Sequence, residues 1–116
     1  VINTVADGAQ LVEAVGSPAF RTMIDTSAAG QSEATPVAEV IRHWLPTGMV
    51  AHVHVNDTNR GAPGMGRDPF ADISRALRDA NWPHPIAVEP FRTCIDGTTT
   101  AAIGAATMRA SWDAAG

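Results

Sequence analysis

The chain has 116 residues, 45% of them hydrophobic and 17% charged, with a formal net charge of −4. This size and composition bound it to one globular domain or part of one, without a disordered or fibrous bias. Its eight Lys and Arg residues are scattered, so no basic stripe offers the phosphate contacts that nucleic acid or an anionic membrane surface requires.

Asn3 or Thr4 is placed to cap a helix over about 4–15, in which Val5, Ala9 and Val12 recur at helical spacing and Gly16 supplies a left-handed stop. After Ser17-Pro18, the mostly apolar 19–25 stretch reads as a buried strand ending on Asp25. Ala28-Ala29-Gly30-Gln31 reads as loop. Thr35-Pro36 then offers an N-cap followed by proline at the first helical position. Val37, Val40, Ile41 and Trp44 form one apolar stripe of that second helix, which Pro46 and Gly48 end. A second buried strand is predicted over 49–55, with His52 and His54 on the same face. The glycine-rich 56–69 stretch is a long loop. Asp68-Pro69 repeats the cap-plus-proline start for a third helix carrying Phe70, Ile73 and Leu77. Beyond Asn81-Trp82-Pro83, residues 85–89 form a third strand that ends on Glu89 and is stopped by Pro90. An alanine-rich last helix covers Thr98 to about Asp113.

Three strands alternating with four helices, without hairpin signals, predict an α/β fold with a parallel sheet. Asp25, His54 and Glu89 follow one another near the roughly 31 residues per βα unit expected of an eightfold barrel of about 250 residues. A doubly wound sheet has similar units, so periodicity alone leaves both architectures open. Cys94 is the only cysteine, which excludes an internal disulfide and a thiolate zinc cage and makes a cytoplasmic location the expectation. No apolar run reaches the roughly 20 residues of a membrane span, and no basic flank leads into a signal segment. The chain starts on Val1 and enters a helical pattern almost at once, which suggests that sequence upstream is missing.

Ligands bind at the C-terminal edge of parallel strands in both architectures. Asp25, His54 and Glu89 stand at three successive strand ends. Singly, each has an ordinary reading as a turn starter, a core histidine or a residue before a bend. Together, two carboxylates and an imidazole suit a catalytic divalent cation, Mn²⁺, Mg²⁺, Co²⁺ or Zn²⁺, with positions left for substrate oxygens. His52 competes for the ligand role but lies two residues further from that edge, so His54 is preferred. Arg60, just past the second strand, is placed to bond a substrate hydroxyl or carbonyl. The glycines of 61–66 match neither nucleotide fingerprint and read as turn formers. Cys94 has no flanking base and reads as inert.

The stretches Met23-Ile24-Asp25-Thr26, His52-Val53-His54-Val55-Asn56-Asp57-Thr58-Asn59-Arg60 with Pro63-Gly64-Met65-Gly66, and Val88-Glu89-Pro90-Phe91 together resemble the xylose isomerase-like barrels, nearest to the D-tagatose/D-psicose 3-epimerase group. The resemblance covers nearly the whole chain and implies that residues 1–116 are the C-terminal part of a (β/α)₈ TIM barrel domain. It implies metal ligation by Asp25, His54 and Glu89, with Mn²⁺ foremost, and proton exchange by Glu89. It also implies contact of Arg60 with sugar oxygen, a small sugar as substrate and a homo-oligomeric full-length protein. The chemistry is consistent with this: removing a proton beside a ketose carbonyl builds negative charge on oxygen, which a cation stabilises as an enediolate. Two carboxylates on opposite faces then remove and return the proton.

Two departures matter. The group's fourth ligand, a second glutamate, belongs on a strand just before Val1, so the chain is expected to hold three of eight strands and to be inactive alone. Where many members have a histidine three residues after the aspartate, this chain has Ala28, which leaves contact with one end of the sugar open. The same resemblance permits a hydroxypyruvate isomerase or an inosose dehydratase. A repair endonuclease on this barrel needs more ligands and a cationic groove, which the net charge of −4 disfavours. The reading from another class is a non-catalytic α/β binding fragment that needs a partner to cover its sheet edges.

Overall fold

The first helix, α1 (Val5–Val15), begins at a capping box. The Thr4 hydroxyl accepts the Asp7 N–H at 3.2 Å, and the Asp7 carboxylate accepts the N–H groups of Asn3 and Thr4 at 2.9 and 3.0 Å. These donors have no helical carbonyl within reach, so the side chains satisfy them. The backbone bonds from Asn3 and Thr4 hold the Asp7 carboxyl below its usual range. At the other end Gly16 adopts a left-handed φ of 64° and closes the helix.

The computed structural model describes residues 1–116. After α1 come β1 (Thr22–Asp25), α2 (Thr26–Ser32), α3 (Val37–Trp44), a 3₁₀ turn (Leu45–Thr47), β2 (Val50–Val55), α4 (Phe70–Asp79), β3 (Ile86–Val88) and α5 (Gly97–Ala115). The helices number five rather than four, because Ala28-Ala29-Gly30-Gln31 is not loop but the body of α2. Its cap is Asp25 itself, whose Oδ1 accepts the Ala28 N–H at 2.9 Å. The two cap-plus-proline starts also differ from expectation. Pro36 and Pro69 occupy the N-cap positions of α3 and α4, without a side-chain capping bond at either. Asp68 turns instead to Thr58, accepting its N–H and hydroxyl at 2.8 Å each.

The three strands are parallel in the order β1-β2-β3. Alternation along the strands gives the sheet two different faces. Ile24, Val53 and Val55, each 0% exposed, point into one core with Ile41, Ile73 and Leu77. Burial of each such side chain contributes about 1.5–3 kcal/mol relative to exposure. Helices α3, α4 and α5 pack side by side in sequence over that face. The opposite face carries Met23 and His52, both exposed. No helix is long and apolar enough to cross a membrane.

Candidate metal centre

Strand register brings the predicted site residues together. Asp25 on β1 pairs with His54 on β2, and His54 pairs with Ala87 on β3. Glu89 lies two residues beyond Ala87, on the same face and just past the end of β3. All three residues therefore meet at the C-terminal edge of the parallel sheet.

Their ligand atoms lie within 4.8 Å of one another. His54 Nδ1 is 2.6 Å from Glu89 Oε2 and 3.9 Å from Asp25 Oδ2. Metal–ligand bonds of about 2.1 Å place neighbouring donor atoms about 3 Å apart, so the spacing fits one shared divalent cation after small side-chain adjustments. The donor set, one borderline nitrogen and two hard carboxylates, suits such an ion. Asp25 and His54 are largely buried, whereas the Glu89 side chain is half exposed. Glu89 is thus the most open of the three to a molecule entering from solvent.

The cleft above these atoms has a volume of about 340 Å³ and is also lined by Met23, Ala28, Gln31, Arg60 and Phe91. Ala28 occupies the wall where the resemblance calls for histidine. Gln31 lies nearby, but its Nε2 is committed to the carbonyl and hydroxyl of Ser27 at 3.0 and 3.1 Å. The guanidinium of Arg60 sits 5.3 Å from the centre of the Phe91 ring, a cation–π distance that holds it at the rim. His52 stands outside the ligand group. Its ring meets that of His54 edge-on, with centroids 4.6 Å apart, and it remains exposed on the sheet face. Cys94 is free and exposed, away from the cleft.

Two buried residues to which the sequence reading assigned no role shape the site. The side chain of Asn56, 0% exposed, donates from Nδ2 to Asp25 Oδ2 and accepts the Glu89 N–H on Oδ1, both at 2.9 Å. Its backbone is tied to the buried Thr26 hydroxyl, which accepts from Asn56 N at 2.9 Å and donates to Asn56 O at 2.7 Å. Asp57, 1% exposed, accepts the N–H groups of Gly64 and Gly66 on Oδ2 and of Asp68 on Oδ1, at 3.0, 2.8 and 3.0 Å. That carboxylate folds the 56–69 loop. Within it Arg60 holds a left-handed φ of 72°, a conformation that costs a residue with a side chain about 1 kcal/mol or more. Its N–H donates to the Asp57 carbonyl, and its own carbonyl accepts from Phe91 and Arg92. Polar residues directly after an apolar strand, Asn56 and Asp57, were the available signal for both roles.

Known proteins agree with this architecture. Residues 1–111 match the family model described as xylose isomerase-like TIM barrel. The D-psicose 3-epimerase of Agrobacterium fabrum is 36% identical over 91 residues, which cover 78% of this chain and 30% of that protein. The chain thus spans less than a third of the length of that relative. A solved L-ribulose 3-epimerase superposes with a TM-score of 0.85 at 25% identity, over 98% of this chain and 43% of that one. A D-psicose 3-epimerase crystallised in the presence of D-fructose gives 0.68 at 30% identity, over 99% of this chain and 42% of that one. The strand order, the strand-end residues and these matches lead to one conclusion: the chain belongs to the xylose isomerase-like TIM barrel family and is related to ketose 3-epimerases.

Proposed function

We propose that the protein is a divalent-metal-dependent epimerase of a small ketose, with residues 1–116 forming part of its barrel domain. The observation that carries this reading is the convergence of Asp25, His54 and Glu89 in one cleft with Arg60 at its rim. Asp25, His54 and Glu89 would hold the cation, Mn²⁺ foremost. When bound, the cation would offset the negative charge that develops on substrate oxygen as the neighbouring C–H proton leaves.

The remaining work falls to the chain's own groups. Glu89, the most open of the three carboxylate and imidazole side chains, takes the proton from the carbon beside the ketose carbonyl. Arg60 donates hydrogen bonds to a sugar oxygen and fixes the substrate across the cleft. Phe91 and Met23 supply apolar wall and reduce the water around the reacting carbon. Return of a proton on the opposite face requires a second acid, the role of the further glutamate that the resemblance implies. The ketose epimerase names of the relatives favour epimerisation over dehydration.

The test is solvent exchange. The Mn²⁺-loaded full-length protein is incubated with D-fructose or L-ribulose in deuterium oxide and followed by NMR. The expected product is the 3-epimer carrying deuterium at C3. A folded, metal-loaded protein that exchanges no C3 proton of either ketose contradicts the reading.

A further inference from the structure

The Asn56 side chain touches two of the three ligand residues and is not a ligand itself. It departs from the end of β2, between β1 and β3, and is 0% exposed. Its Nδ2 reaches the Asp25 carboxylate and its Oδ1 the backbone N–H of Glu89. The chemistry fixes the amide orientation, because the reverse would set oxygen against carboxylate and NH₂ against N–H. The Asp25 oxygen that receives this bond, Oδ2, is the one facing His54, while Oδ1 caps α2. The carboxylate is therefore held through both oxygens. A single buried amide sets the orientation of one ligand and the backbone position of another.

We infer that Asn56 is a positioning residue for the cation site, acting on Asp25 through its side chain and on Glu89 through its backbone. The assignment rests on the cation-site reading above. Supporting partners of this kind commonly change metal affinity by about 10–100-fold. Thr26 completes the arrangement by fixing the Asn56 backbone.

The experiment measures Mn²⁺ affinity by electron paramagnetic resonance in the full-length protein. It compares wild type, Asn56→Leu, Asn56→Ala and a core control, Val40→Ala, and records melting temperature in chelator for each. Leu keeps the γ-branched outline of Asn, with somewhat greater bulk, and removes both hydrogen bonds. The Asn56 variants are expected to bind Mn²⁺ about 10–100-fold more weakly and to show an altered Mn²⁺ spectrum. Val40→Ala is expected to melt earlier with affinity and spectrum unchanged. Affinity within twofold of wild type in the folded Asn56 variants overturns the assignment while leaving the cation site intact. Failure of both Asn56 variants to fold, with Val40→Ala folded, also overturns it by making Asn56 a folding residue. Absence of Mn²⁺ binding by wild type refutes the cation site itself, and the assignment with it.

Discussion

Replacing His54 with Ala is expected to weaken Mn²⁺ binding by more than about a hundredfold, beyond what loss of a supporting partner causes. The imidazole is the only nitrogen donor in the group, and its Nδ1 lies between the two carboxylates. Without it, Asp25 and Glu89 remain as two carboxylates on β1 and after β3, with no ligand between them. Glu89→Gln separates binding from chemistry. The amide keeps one oxygen for the cation, so affinity should fall less than in His54→Ala, while proton exchange at C3 should be lost because the base is gone. Calorimetric titration with Mn²⁺ and the deuterium assay distinguish the two effects. Unchanged affinity in both variants would refute the proposed ligand set.

Asp57→Ala is expected to cause the largest loss of stability among the polar substitutions, about 3 kcal/mol or more. The change removes the acceptor for three backbone N–H groups, those of Gly64, Gly66 and Asp68. A buried donor left unpaired costs about 1–3 kcal/mol, and partial hydration of the loosened loop keeps the sum near the lower end. Asp57→Asn should be milder. Its remaining carbonyl oxygen can face the two glycine donors, leaving the Asp68 N–H opposed by the NH₂ group. The loop also carries Arg60, whose carbonyl anchors Phe91 and Arg92, so Asp57→Ala should raise KM for the ketose as well. Urea denaturation and steady-state kinetics of both variants measure these effects. A loss below about 0.5 kcal/mol, the level of ordinary surface changes, would mean that the carboxylate is dispensable.

The frame of the site was readable because strand ends in a parallel sheet share one edge. Asp25 and Glu89 close short apolar runs, His54 stands one residue before the end of another, and the regular βα spacing puts those runs side by side. What escaped the sequence reading depends on neighbours distant along the chain. Helix α2 has small residues and a glycine instead of an apolar stripe, so periodicity did not reveal it. Recognising Asp25 as its cap would have done so, but the acid was already read as a strand end. Asp68 looked like a cap because Pro69 follows it, yet its carboxylate is drawn to Thr58, across the folded loop. Asn56 makes its contacts with residues about thirty positions away in each direction. Its place directly after an apolar strand marks the residue, but nothing local names its partners. His52 was read as lying two residues further from the ligand edge than His54, and its side chain is exposed there.

The most direct test of the account is anomalous diffraction at the manganese absorption edge from crystals of the full-length protein grown with Mn²⁺. The account predicts one strong peak about 2.1–2.3 Å from Asp25, His54 and Glu89, with Asn56 still bonded to Asp25 and to the Glu89 backbone. No peak there, with the three side chains contacting only protein and water, would contradict it.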